Sequence, residues 1–347
     1  MLSHVRIRRY KSLKDVSIKL EPLTVFIGPN GSGKSSICEA IQVASSLYEI
    51  LRDAKPPGTE LSLTLFRQVL EKQFNSQDVR SKFWHGEFEP SNPGANPIDL
   101  GFACNGAKAA NESLVIPSAY VELPRNPLIS KAIHKIVVYD FNPVMIAADS
   151  PPAKSLNSSG QGIAYALADI LLDDRDTFEE LERRLTELVP NIAGISLKRN
   201  GERISLSLID KYSEYHIPAR DISDGTLRIL AFLTALYQKD RPSIVCFEEP
   251  ENGIHPWLLH KIVELLNLVS TEGVAGQSVQ VLITTHSVPL LNYVKPEQIR
   301  AVELDKTGAT QVHELPVDTA RFEAAMEAYD HEVGSLWFTD VFGGNPA

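Results

Sequence analysis

The stretch LTVFIGPNGSGKSS, residues 23–36, decides the fold. Its first five residues form the kind of apolar run found in a strand covered on both faces. A glycine-rich turn ends the run, and SSICEAIQVASSLYEILRD follows with apolar positions at Ile37, Ile41, Ala44 and Leu47, the spacing of an amphipathic helix. The turn itself fits G-x-x-x-x-G-K-[ST] through Gly28, Gly33, Lys34 and Ser35. In that pattern the glycines let backbone N–H groups curl around phosphate oxygens, the lysine reaches the β- and γ-phosphates, and the serine hydroxyl ligates Mg²⁺. Strand before and helix after are the context the motif requires. The chain is therefore expected to hold ATP and Mg²⁺ through Gly28, Asn30, Gly31, Gly33, Lys34, Ser35 and Ser36, with Ser35 on the metal.

A second stretch, SIVCFEEPENGIHP at residues 243–256, ends an apolar run in two carboxylates and a proline. Buried carboxylates are costly unless a cation is near. In P-loop enzymes a second strand brings a carboxylate to the Mg²⁺ shell, and a neighbouring residue orients or deprotonates the attacking water. Glu248 is the expected metal residue, through water, and Glu249 the expected general base. VLITTHS, residues 281–287, likewise ends an apolar strand in His286, placed to hydrogen-bond a γ-phosphate or the attacking water. ISDGTLR, residues 222–228, puts Ser223 and Gly225 at a helix start, where small residues leave an anion site open.

Elsewhere the pattern is that of an α/β protein. HVRIRRY and VSIKL read as strands ahead of the phosphate turn, IDLGFAC, SAYVEL and KIVVYDF as further strands, and the turn-rich pieces between about 53 and 130 as an irregular insertion. After a Pro/Ser/Gly-rich linker at 150–162 come two helices. The second is expected to open on the capping pattern Thr177-x-x-Glu180 and to carry Phe178, Leu181, Leu185 and Leu188 on one face. Asn200-Gly201 between alternating runs predicts a hairpin. From there strand and helix alternate as a doubly wound sheet requires. Repeats and sustained heptads are absent, so no long coiled-coil arm is expected.

Bulk properties bound the function. The 347 residues suffice for a core without disulfide or metal staples. Cys38, Cys104 and Cys246 are odd in number and far apart, which predicts a reduced, cytoplasmic chain. Neither a signal peptide nor a membrane span is expected. A net charge of −10 argues against a protein that coats nucleic acid. A local basic cluster does exist at Arg6, Arg8, Arg9, Lys11, Lys14 and Lys19; it reads either as a nucleic-acid patch or as the solvated face of a sheet with Val5 and Ile7 turned inward. Tyr10 has two readings as well, core residue or adenine stack.

The order of these motifs resembles the ABC-type ATPase heads of the SMC, RecF and OLD (overcoming lysogenization defect) families, and most nearly stand-alone bacterial AAA-type, OLD-like ATPases. The matching residues run from IRRYKSLKDVSIKLEPLTVFIGPNGSGKSS through ISDGTLRILAFL, FEEPENGIHP and TTHS to GSLWFTDVFGG. The resemblance implies a P-loop NTPase with a mixed sheet, an N-terminal antiparallel β-subdomain and a helical or irregular insertion. Residues 1–347 would form one head: 1–52 the N-terminal strands and P-loop helix, 53–220 the insertion, 221–300 the signature helix, Walker B and switch-histidine lobe, and 301–347 a strand and helix tail. It further implies an ATP-dependent homodimer in which Ser223 and Gly225 touch the γ-phosphate in trans. Glu249 would be the base, His286 the switch histidine and residues 251–255 a D-loop-like crossing segment. Three departures stand out: Glu248 replaces the usual aspartate, ISDGT replaces LSGGQ, and the Q-loop glutamine is open among Gln68, Gln73 and Gln77.

The function so implied is ATP-driven dimerisation and hydrolysis that gate a DNA-directed process, in repair or defence against phage. About sixty residues after His286 are too few for the Toprim nuclease of OLD proteins, so an effector in trans is expected. Residues 335–342, SLWFTDVF, could dock such a partner or pack on their own head. The alternatives are an ATP-gated DNA clamp with slow turnover, resting on the basic cluster, and a nucleotide-binding subunit of a membrane transporter. The latter fits poorly with the roughly 190 residues between Lys34 and Ser223.

Overall fold

The computed structural model describes residues 1–54, 98–104, 112–116, 127–148, 152–153, 155–274 and 276–339. The strand expected at SAYVEL and the glutamines Gln68, Gln73 and Gln77 lie outside the described residues. The chain forms two compact units, one of Met1–Val138, Pro242–Cys246 and Gln280–Ala347, the other of Tyr139–Arg241 and Phe247–Val279.

In the first unit β1 (Leu2–Tyr10), β2 (Leu13–Lys19), β4 (Ile98–Cys104) and β5 (Glu112–Ile116) make an antiparallel sheet in the order β2-β1-β4-β5. Alternation from His4 to Arg8 in β1 buries Val5 and Ile7 completely, as a period of two demands of a half-buried strand. A second sheet has the order β13-β12-β3-β11-β10-β6. Its strands are β3 (Leu23–Ile27), β6 (Ile136–Tyr139), β10 (Ile244–Glu248), β11 (Gln280–Thr285), β12 (Ile299–Leu304) and β13 (Thr310–Glu314). β3 pairs in parallel with β11 and β12, and β13 closes the edge antiparallel to β12. The sheet is thus mixed. β3 and β11 are buried at every position, which is why both read as unbroken apolar or β-branched runs.

The P-loop helix, Lys34–Ala54, covers this unit's core with Ile37, Ile41, Ala44 and Leu47, all fully buried. The two isoleucines and the leucine each contribute about 1.5–3 kcal/mol of burial and the alanine methyl less. A charge is buried in this unit too: Arg300, on β12, is 1% exposed and donates to the carbonyls of Lys19, Glu297 and Ile299 at 2.7–2.8 Å. Burial pushes its pKa down. It staples the end of β2 to the start of β12, and nothing in the sequence announced it.

The second unit is mainly helical. The helix Asp224–Tyr237 is buried nearly all round, with the helices Ile163–Asp173 and Arg175–Leu188 as neighbours. Tyr139, Phe141, Phe232 and Phe247 form an aromatic cluster with centroid separations of 4.5–5.9 Å. Phe178, Leu181, Leu185 and Leu188 are buried on one face as their spacing predicts. The N-cap nevertheless lies three residues before the expected one. Asp174 is the N-cap, its Oδ1 accepting from the Thr177 amide at 3.1 Å and its Oδ2 from the Thr177 hydroxyl at 2.7 Å. A carboxylate that accepts both groups outcompetes a threonine for this position. The hairpin of β7 (Ile192–Asn200) and β8 (Arg203–Asp210) is also present, with β9 (His216–Pro218) on its other edge. Asn200 pairs with Arg203, so the two loop residues are Gly201, at φ +63°, and Glu202. The turn is one residue later than Asn200-Gly201 suggested, because glycine takes the left-handed position.

Candidate functional site

Parallel pairing sets Ile27 of β3 opposite Thr285 of β11, and Ala301 of β12 opposite Ile27 on the other side. The phosphate loop beginning at Gly28 and the histidine His286 therefore leave the sheet side by side at one edge, the end of parallel strands where α/β folds bind ligands. Gly28 has no room for a side chain: a Cβ there would lie 2.0 Å from the Val302 carbonyl oxygen. Gly31 and Gly33 have φ of +77° and +107°, which only glycine adopts without strain. Lys34 is 6% exposed, and its Nζ donates to the carbonyls of Gly28 at 2.7 Å and Pro29 at 2.8 Å. Asn30, Gly31 and Ser35 face outward, and Ser36 is half-buried. The first turn of the P-loop helix carries no acidic side chain, so its dipole favours an anion.

These residues fit a nucleotide phosphate chain with Mg²⁺. Gly28 and Gly33 pack against protein on one side of the loop while Gly31 is open, the ammonium is inside the loop, and the Ser35 hydroxyl is exposed. Among the described residues no three His, Cys, Asp or Glu gather into an all-protein metal cage; Mg²⁺ at phosphates relies on one or two protein oxygens with phosphate and water completing the shell.

His286 is exposed, and the chain turns directly after it. The Ser287 amide donates to Thr285 Oγ1 at 2.9 Å, and Ser287 caps the short helix Val288–Leu291. That helix packs against the tail helix Val333–Phe338. A Cβ on Gly334 would fall 2.3 Å from the Val288 carbonyl oxygen, and the Gly334 amide donates to Asn292 Oδ1 at 2.8 Å. Leu336 and Trp337 are buried in the unit while Phe338 is exposed, so most of the described part of SLWFTDVF packs on its own unit.

Glu248 ends β10, and both it and Glu249 are half-buried. Glu249 sits at φ +43°, a left-handed conformation that costs a non-glycine residue on the order of 1–3 kcal/mol and clusters at functional sites. Its Oε2 accepts from Asn252 Nδ2 at 2.8 Å, and its carbonyl accepts the Asn252 amide at 3.0 Å. Asn252 was not singled out from the sequence; only its place three residues after the carboxylate hinted at a local turn.

Ser223 caps the helix Asp224–Tyr237, its Oγ accepting from the Thr226 amide at 3.4 Å. Gly225, in the first turn, touches the backbone of Gly253, which turns at φ +73°. The segment 251–255 thus lies against the start of this helix within its own unit.

Two open readings close. Tyr10 is fully buried, and burial followed by the nearby Glu39 charge raises its pKa, so its ring is core and not open to a base. The basic cluster is largely offset by acids: Arg6 pairs with Asp15 at 2.7 Å, Arg8 with Asp99 at 3.3 Å, Lys19 with Glu21 at 3.5 Å, and Lys11 with Glu39. The Arg6 hydrogen bond holds the Asp15 carboxyl below its usual range.

A family model described as "AAA ATPase domain" matches residues 1–72, and one described as "AAA domain, putative AbiEii toxin, Type IV TA system" matches residues 128–292. An "OLD nuclease" of Thermus scotoductus is 36% identical over 70 residues, 20% of this chain and 13% of that protein's length. In fold the chain is similar to an SMC head bound to the C-winged helix domain of ScpA, at a TM-score of 0.59 and 14% identity over 94% of this chain and 99% of that one. It is similar as well to the SMC head with an extended coiled coil from Pyrococcus furiosus, bound to the C-terminal domain of ScpA, at 0.53 and 12% over 95% and 98%. Among the described residues no helix is long and apolar enough to cross a membrane. Both family matches are thus to AAA-type ATPase domains, and the fold is similar to that of SMC heads.

Proposed function

We propose that the chain hydrolyses ATP with Mg²⁺ and that ATP-driven, head-to-tail dimerisation gates a DNA-directed process, in repair or anti-phage defence, through an effector in trans. The observation that carries the reading is the Ile27–Thr285 pairing, which brings the phosphate loop and His286 out at one edge of the sheet. Lys34, with the loop amides of Gly28, Asn30, Gly31 and Gly33, would bind the phosphates, and Ser36 would flank them. Ser35 and Glu248 would hold the metal. Bound Mg²⁺–ATP supplies the scissile bond and neutralises charge as it breaks. Glu249, oriented by Asn252, would take the proton of the attacking water, and His286 would hydrogen-bond the water or the γ-phosphate. Ser223 and Gly225 would complete the site of a second copy.

The OLD relative and the toxin–antitoxin wording of one family model support the DNA-directed or defensive role. The ScpA domains on the two SMC heads are precedents for a partner in trans. Ion pairing within the N-terminal basic cluster removes most of the support for the clamp reading. The test is phosphate release by the wild type, Lys34→Ala and Glu249→Gln, with ATP binding measured in parallel. Turnover in the wild type, lost in both variants but with ATP still bound by Glu249→Gln, supports the assignment. Wild-type protein that neither binds nor hydrolyses ATP would overturn it.

A further inference from the structure

The phosphate loop is held from beneath by a residue 278 positions away in sequence, Thr310 at the start of β13. Thr310 is 1% exposed. Its hydroxyl lies 2.8 Å from the Ser32 carbonyl oxygen and 2.8 Å from Ser12 Oγ. With one proton to give, it donates to the carbonyl and accepts from Ser12. Its amide donates to the Ser12 carbonyl at 2.8 Å, so the threonine is fixed at both ends. A Cβ on Gly33 would lie 2.3 Å from Thr310 Oγ1 and 3.0 Å from Ser12 Oγ; the loop rests directly on this pair.

A trans peptide is planar, with its C=O and N–H pointing in opposite directions. Pinning the Ser32 carbonyl down onto Thr310 therefore turns the Gly33 N–H away from the sheet edge strand, toward the opposite side of the peptide. We propose that Thr310 is a positioning residue of the phosphate loop: its hydroxyl sets the Ser32–Gly33 peptide so that the Gly33 amide faces the phosphate. Gly33, at φ +107°, has no side chain to resist a flip of that peptide, so the constraint has to come from outside the loop. The β12–β13 turn holds Thr310 in place, with Asp305 Oδ1 accepting from the amides of Thr307 at 2.8 Å and Ala309 at 3.0 Å. This inference rests on the loop binding a nucleotide.

The test is titration of Mg²⁺–ADP into the full chain by calorimetry, with thermal unfolding of the nucleotide-free proteins alongside. ADP reports on the loop without dimerisation. Thr310→Val keeps the shape and removes the hydrogen bond; it is expected to weaken ADP binding about tenfold, whereas Thr310→Ser stays within about twofold of the wild type. Should the valine variant not fold, Thr310→Ala against Thr310→Ser, both lacking the methyl group, makes the same comparison. A residue with only a structural role would lower the melting temperature and leave ADP affinity alone. Wild-type-like binding by Thr310→Val, or equal weakening by Thr310→Ser, overturns the proposal and leaves the nucleotide reading standing. Failure of the wild type to bind ADP overturns both.

Discussion

Gly225 and Gly253 are in backbone contact: a side chain on Gly225 would sit 2.3 Å from the Gly253 carbonyl oxygen. The requirement for glycine in ISDGT is thus met inside one unit of one chain, before any second copy is considered. Gly225→Ala should shift the start of the helix or displace the 251–255 turn, destabilising the fold by about 1–3 kcal/mol. Ser223→Arg removes the helix cap, at a cost of about 0.5–2 kcal/mol, and should leave ATP binding near wild type while blocking hydrolysis. Melting curves and phosphate release on the two variants separate the effects; normal hydrolysis by Ser223→Arg would refute the composite site.

Lys34 and Glu249 should divide binding from turnover. Lys34→Ala removes the cation that the loop carbonyls hold and should abolish ATP binding. Glu249→Gln should keep ATP and lose turnover by about two orders of magnitude or more. Light scattering of Glu249→Gln on a sizing column, with and without Mg²⁺–ATP, should show a monomer becoming a dimer.

The left-handed backbone at Glu249 predicts a trade between stability and activity. Glu249→Gly relieves the strain and should raise stability by up to about 1 kcal/mol, since glycine loses some of the gain to its greater freedom when unfolded. The same variant should be inert. Chemical unfolding read beside phosphate release checks both; a destabilised glycine variant would show that the conformation is not strained.

Asp305 gives a pH signature. Hydrogen bonds, first from the Thr307 hydroxyl and then from the Ala309 amide, lower its pKa from 3.8 to about 2. A depressed carboxylate stabilises the folded state above its unfolded pKa and loses that contribution as pH falls through the folded one. The melting-temperature gap between wild type and Asp305→Ala should therefore be constant above about pH 4 and shrink toward pH 2. A gap independent of pH across that window would contradict the turn geometry.

The residues that could be read in sequence are those whose surroundings are local. Leu23 through Ser35 carry their strand, turn and helix start in consecutive positions, and so do Ser223 with Gly225 and the acids closing β10. What escaped notice depends on register or on distance along the chain. Arg6 and Arg8 read as a basic patch because Asp15 faces them only through the β1–β2 register and Asp99 lies 91 residues from Arg8. Thr310 and Arg300 belong to no motif, and only the sheet order gives them partners. Asp174 displaced the Thr177 cap because two plausible caps lay within one turn, and side-chain geometry chose between them.

The strand order also has a consequence in time. β3 is made within the first 27 residues, yet both of its sheet neighbours, β11 and β12, come from beyond residue 279. At roughly 5–20 residues per second, a ribosome needs on the order of ten to fifty seconds to supply the strands that flank the phosphate loop. Until then Ile27 has no Thr285 beside it and Ser32 no Thr310 beneath it. On the proposed reading the phosphate loop is made long before the strands that flank it, and a growing chain grips no nucleotide until β11, β12 and Thr310 have emerged.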